Sequence, residues 1–310
     1  MTDAWQPAPW LQTRLKVAEQ AAAELADEHF GADVWLVGAL AENLAHQQSD
    51  VDLFVVTPDD RGPAPELRSR LTCGIRIDVR AVTKTTVHDW RTLLEAFTVS
   101  RDDIEMFRTV RARLSNLTLL RTARPLARAS DQAEILAPEQ RATYQRWALA
   151  DRCEAAASLT EDLLGLAQAG LYPHADLVWD QLARVVAQAE TVAAGAPLLG
   201  EKWLPSLLSS RDDAARFTPV PALPEPRWVS AAAHSPFFAS VQARLANALL
   251  SLWPADVEPE PLDEAGLGSF GWLPQRYSDG WFLRRGDARV PLSTSRMRAW
   301  RDAAARRART

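Results

Sequence analysis

The stretch Asp50-Val51-Asp52-Leu53-Phe54-Val55-Val56-Thr57 constrains this chain more than any other part of it. Its apolar run is closed by Pro58 and by the polar residues Asp59 to Pro63. That pattern predicts a buried strand followed by a loop. Alternate side chains of a strand share a face, so Asp50 and Asp52 stand side by side. Two adjacent carboxylates repel and raise each other's pKa unless a cation sits between them. A hard, oxygen-seeking divalent ion such as Mg²⁺ satisfies such a pair.

The flanking residues extend this reading. Val34 to Val37 is a short apolar run suited to a second buried strand, and Ala39 to Ala45 has room for one or two helical turns. Gly38 lies between them, where a residue without a side chain lets backbone N–H groups approach a phosphate at a helix start. Ile75, Ile77 and Val79 alternate with Arg76, Asp78 and Arg80, the period of a half-buried strand. Asp78 can join the face of Asp50 and Asp52. Three carboxylates on adjacent strands can hold two metals about 3.5–4 Å apart, the arrangement that organises an in-line displacement at phosphorus.

Around this centre the pattern predicts an α+β protein. A helix over 10–28 places Leu11, Leu15, Ala18, Ala22 and Leu25 on one face, with Gly31 beyond its end. Helices are expected over 86–97, 102–120, 139–169, 175–194, 201–208 and 235–252, punctuated by Pro173, Gly195, Pro197 and Pro254. Proline-rich linkers run through 218–227 and past Pro259 and Pro261. Asp279-Gly280, between Tyr277 and Trp281, signals a hairpin, and Ser293 can cap a last, arginine-rich helix over 294–309. The expected organisation is a mixed-sheet catalytic domain over 1–98, a helical bundle over 99–217 and a small α+β module over 228–310.

Composition excludes several classes. Apolar residues make up 47% and charged residues 24% of the 310, which rules out global disorder. Cys73 and Cys153 cannot build a disulfide framework or a cysteine-rich zinc site. The five histidines show no metal-ligand spacing, and most of the 12 tryptophans are expected in the core. Asp3, Arg14, Lys16, Glu19 and Glu24 break up any leader-like run, and no stretch is apolar enough to span a bilayer. A cytoplasmic protein with no membrane partner is expected. The net charge of −5 disfavours a generally basic nucleic-acid binder. From Arg284 to Thr310, however, nine arginines face two aspartates, a local surplus of +7 that leaves −12 for the rest.

Gly38, Ser49-Asp50-Val51-Asp52 and the later strand Asp78 resemble the nucleotidyltransferase superfamily that includes DNA polymerase beta. They are closer to its minimal and antibiotic-modifying members. The resemblance implies Mg²⁺-dependent transfer of a nucleoside monophosphate, AMP from ATP, to a hydroxyl of a small-molecule metabolite or antibiotic, with pyrophosphate leaving. It implies Asp50 and Asp52 as ligands of both metals, and Asp78 as a ligand of the catalytic metal near the attacking hydroxyl. Gly38, Ala39 and Ser49 would face the nucleotide. Ala39 stands where the family usually has serine, so its N–H remains and the hydroxyl is gone. Leu119 to Leu126 and Glu201-Lys202-Trp203-Leu204-Pro205 resemble segments of the helical domain of bacterial members, in which a lysine reaches the triphosphate; Lys202 takes that role here. Two other readings remain open at this point. One is a tRNA or other RNA acceptor, motivated by the basic tail. The other is a non-catalytic nucleotide-sensing or protein-binding member, motivated by Ala39 and the unassigned C-terminal module.

Overall fold

A computed structural model describes residues 8–29, 31–58, 67–100, 104–127, 134–209, 236–255, 257–258, 260 and 266–309. The loop 59–63, the linker 218–227, Pro259, Pro261 and His234 lie outside them. The chain divides into two compact units, Met1–Ala96 with Ala112–Tyr144, and Phe97–Arg111 with Gln145–Thr310.

The first unit is a five-stranded mixed sheet. Its strands are β1 (Asp33–Val37), β2 (Val51–Thr57), β3 (Arg68–Thr72), β4 (Ile75–Thr83) and β5 (Arg124–Ala127), in the order β3-β4-β2-β1-β5. Among the described strands of this sheet, only the β2–β4 pair is parallel. Helix α1 (Pro9–Glu28) begins on a proline, whose missing N–H has no helical partner to lose at that position. It lays Leu11, Ala18, Ala21, Ala22 and Leu25 on one face of the sheet, against Val34, Leu36, Leu53, Val55, Ile77 and Val79. The alanines let the helix approach the strands closely.

The opposite face carries Phe54, which packs on Trp90 with ring centroids 6.0 Å apart. Trp90 belongs to α3 (Lys84–Thr92), where Thr83 caps the helix by accepting the Thr86 N–H at 3.1 Å. Between β1 and β2, the helical turn α2 covers only Gly38–Ala41. β3 and β4 are joined by Cys73-Gly74, with φ of 52° and 74°, between paired Thr72 and Ile75. Positive φ at both loop residues is the geometry whose twist suits a two-residue hairpin. Cys73 is exposed there, and Cys153 is buried.

Helices α4 (Ile104–Thr122) and α5 (Pro138–Gln168) contribute residues to both units. The second unit adds α6 (Tyr172–Ala193), a 3-10 turn at Glu201–Trp203, α7 (Leu204–Ser209) and α8 (Pro236–Leu252). A three-stranded antiparallel sheet follows, β6 (Leu273–Tyr277), β7 (Gly280–Arg285) and β8 (Ala288–Leu292), and then α9 (Thr294–Arg307). Aromatic rings link these parts: Phe97 packs on Trp147 and Trp253, and Trp253 on Trp281.

Tyr277 pairs with Gly280, so the hairpin loop is Ser278-Asp279 and Gly280 opens β7. The turn is held there by Ser278, whose N–H and hydroxyl both donate to the Val99 carbonyl, at 2.7 and 2.9 Å. Ser293 caps α9 as expected, accepting the Arg296 N–H at 3.2 Å. Among the described residues no helix is long and apolar enough to cross a membrane.

Candidate active site

Register brings the acids together. Asp52 sits opposite Val37 on β1 and opposite Asp78 on β4. Residues directly opposite in a ladder share a face, so Asp52 and Asp78 project on the side away from α1. Asp50 precedes β2 by one residue and adds the third carboxylate. One oxygen from each lies within 4.8 Å of the other two.

Ser49 is buried, and its hydroxyl accepts the His46 N–H at 3.0 Å while its own N–H donates to the His46 carbonyl at 2.9 Å. The turn that delivers Asp50 to the strand is closed in this way. Ser49 thus places an acid, with its hydroxyl engaged inside the protein.

Gly38 is required by two separate constraints. Its φ is +73°, a conformation that a β-carbon disfavours. A β-carbon there would also fall 2.7 Å from Asp52 Oδ2. The Gly38 N–H donates to Thr122 Oγ1 at 2.9 Å, and Thr122 in turn donates to the Leu119 carbonyl at 3.0 Å. That amide is therefore committed to the end of α4. Ala39, half-buried, follows it in α2.

Asp78 is 9% exposed. Burial pushes its pKa up, but hydrogen bonds from Arg76 and Ser69, the Arg76 charge and the neighbouring Asp50 outweigh it, and the net shift is downward. Arg76 Nε donates to Asp78 Oδ1 at 2.8 Å, and the Ser69 hydroxyl donates to the same oxygen. Arg76 is held more firmly protonated, first by that hydrogen bond, then by the charge of Asp78 and, more weakly, by Asp50 and Asp52. Ser69, Arg76 and Thr122 are the residues that the sequence pattern does not single out as parts of the site. Thr122 lies within the segment 119–126, but only the folded chain shows what its hydroxyl holds.

Lys202 belongs to the second unit, where it is exposed and its Nζ stands 5.0 Å from the centre of the Trp203 ring. Trp203 is buried.

Residues 18–110 match the family model described as a nucleotidyltransferase domain. That segment is similar to the nucleotidyltransferase superfamily. The matched segment contains Gly38, Asp50, Asp52 and Asp78. Among solved structures, a nucleotidyltransferase-like protein from Exiguobacterium sibiricum 255-15 is similar to this chain at 15% identity and a TM-score of 0.37, covering 76% of this chain and 73% of that one. No protein of curated function matches the sequence.

The nucleotidyltransferase domain implies use of an NTP and a divalent metal. The donor set fits such an ion: three hard carboxylates converge, and one cationic side chain, Arg76, touches one of them. The gap at Gly38 that a β-carbon would fill keeps Asp52 Oδ2 clear.

Proposed function

We propose that this protein transfers a nucleoside monophosphate, AMP from ATP, to a hydroxyl of a small-molecule metabolite or antibiotic. The observation that carries this reading is the convergence of Asp50, Asp52 and Asp78 oxygens within 4.8 Å beside Gly38. In the reaction the acceptor oxygen bonds to the α-phosphorus, the bond from that phosphorus to the bridging oxygen breaks, and pyrophosphate leaves with the electron pair. The acceptor proton passes to water or to a carboxylate of the site.

Asp50, Asp52 and Asp78 would hold Mg²⁺, which when bound polarises the α-phosphate, acidifies the acceptor hydroxyl and offsets charge on the leaving group. Asp78 stays ionised at neutral pH because Arg76 and Ser69 hold its Oδ1. Its other oxygen faces the chemistry in this reading. Gly38 leaves room for Asp52 and anchors the turn through Thr122, so the nucleotide-facing donors begin at Ala39 and the missing serine hydroxyl weakens the grip on phosphate.

The small-molecule acceptor is preferred to RNA because three of the nine arginines of the basic tail pair with acids of their own unit. Arg284 pairs with Glu154 and Glu161, Arg296 with Glu260, and Arg301 with Asp302. A non-catalytic role is disfavoured by the convergence of three carboxylates, a donor set suited to a divalent ion.

The test is a Mg²⁺-dependent screen for pyrophosphate release across NTPs and pools of hydroxyl acceptors, with Asp52→Asn as control. Release that needs an acceptor and disappears in the variant supports the reading. Thermal protection by Mg²⁺-NTP with no pyrophosphate in any pool returns the protein to the nucleotide-sensing alternative.

A further inference from the structure

The acid triad lies at one end of the central strands, and the other end is hollow. β1 and β2 run antiparallel, so Asp52 stands opposite Val37 while Val56 stands opposite Asp33. Four residues of strand separate the two ends, about 13 Å. At the Asp33 end a cavity of about 180 Å³ lies between the sheet and α3. All of its lining belongs to the first unit.

That lining is divided by chemistry. Trp35, Val56, Val87 and Ile135 are buried and form apolar walls. Lys84, His88 and Arg91 follow one another along α3 at steps of four and three, which sets them in a single row. Lys84 and His88 are exposed, so the row stands at the mouth, whereas Asp33 is 4% exposed and lies inside. Arg91 is steadied by Gln140: its Nε donates to Gln140 Oε1 at 3.3 Å, and Gln140 Nε2 donates to the Arg91 carbonyl at 3.4 Å. Lys84 and His88 have no ion pair or side-chain hydrogen bond among the described residues. Asp89, the acid of the same helix, is turned to another side by the helical period. Glu134, next to Ile135, is paired with Arg141. The mouth is therefore cationic and the interior holds one acid.

We propose that this cavity binds a small organic monocarboxylate built on one apolar ring, with a hydrogen-bond donor at the end away from the carboxylate. The carboxylate meets Lys84, His88 and Arg91 at the mouth, where a guanidinium can grip both of its oxygens. The ring lies among Trp35, Val56, Val87 and Ile135, and the donor turns inward to the Asp33 carboxylate. An apolar cavity of about 150 Å³ takes up benzene, so the space here admits one ring with a small group at each end. Asp33 sets the limit on charge, because a second anion sent inward would meet it away from water. The site is separate from the triad and does not depend on the nucleotidyl-transfer reading.

The probe is 4-hydroxybenzoate, titrated calorimetrically into the full chain without nucleotide. Saturable binding to one site is expected, with shifts of the Ile135 and Val87 methyl signals in NMR. 4-Hydroxybenzyl alcohol lacks the anion, and terephthalate carries a second anion to Asp33; each is expected to bind at least about tenfold more weakly. Lys84→Gln, at an exposed position, and Arg91→Gln are each expected to weaken 4-hydroxybenzoate about tenfold, whereas Asp52→Asn binds it as the wild type does. No saturable heat, equal binding of the alcohol, unaltered affinity in both α3 variants, or methyl signals that stay in place overturns the proposal. So does binding that Mg²⁺-ATP abolishes, since the ligand would then occupy the triad's end of the sheet. Loss of nucleotidyl transfer in every acceptor screen, with 4-hydroxybenzoate still bound, removes the transfer reading and leaves this site standing.

Discussion

Like charges are crowded at two places in this molecule, and the two crowds are built in opposite ways. In the first unit Asp50, Asp52 and Asp78 converge, and Arg76 is the cation paired with one of them. At the C-terminal end of the second unit, several arginines are held by groups of that same unit. Arg284 meets two glutamates, Arg298 donates to the carbonyls of Ala255 and Val257, and Arg307 donates to Gln242. Counted in the sequence, the tail's +7 is the more conspicuous. In the fold Arg284, Arg296 and Arg301 of that tail meet carboxylates of their own unit, while the acids of the first unit converge on one point. Convergence of like charge on one point, more than its sum along the sequence, marks a candidate site.

The sharpest way to break this contrast is to remove one charge from each crowd. Asp52→Asn is expected to lower nucleotidyl transfer by about 10²–10³-fold while leaving the metal-free protein as stable as the wild type or more so, since one repulsion is gone. Steady-state rates and thermal melts in EDTA read both effects. A destabilised variant would mean that the acids are already balanced.

Arg284→Ala is expected to do the reverse. It leaves Glu154 and Glu161 without their shared partner, and Arg284 is only 16% exposed. A loss of about 2–3 kcal/mol is expected in denaturant titrations, with turnover per folded molecule unchanged.

Gly38→Ala tests the space beside Asp52. An alanine held at φ +73° and pressed on Asp52 Oδ2 should cost about 1–2 kcal/mol, with activity lost beyond what the folded fraction explains. Wild-type activity would show that Asp52 can turn away at no expense.

Smallest is the acid limb of metal-free stability. The folded pKa of Asp78 lies below its unfolded value. Its contribution is therefore complete above the unfolded pKa, about 3.9, and is lost as pH falls through the folded value. Asp78→Asn should flatten the stability curve below about pH 4. An unchanged limb would show that Arg76 adds nothing there. Arg296→Ala, in a 55% exposed pair, gives a comparable baseline of under about 1 kcal/mol.

The triad was legible because strand periodicity and acid spacing coincide in β2 and β4. β3 was not. Arg-Ser-Arg-Leu-Thr has its leucine facing water and its arginines facing a helix, so the pattern that identifies strands is inverted, and Cys73-Gly74 lacks the usual Asn-Gly or Asp-Gly signature of its turn. β5 and β8 were hidden by Pro125 and Pro291, which are tolerated because both strands lie at sheet edges. The bond from Thr122 to Gly38 joins residues far apart in sequence and leaves no local pattern to read. The helices were the easy part: α1, α5, α6, α8 and α9 fall within a few residues of where their apolar period and caps place them.

That bond also sets an order of events at the ribosome. The strands bearing Asp52 and Asp78 have all been made by Thr83, yet β5 and the hydroxyl that fixes Gly38 arrive only with Thr122 to Ala127. At roughly 5–20 residues per second, the nascent sheet waits some seconds with the outer edge of β1 unpaired. Val34, Trp35 and Leu36 line that open edge in the interval, so an arrested chain ending between β4 and β5 should be the form of this protein most prone to self-association.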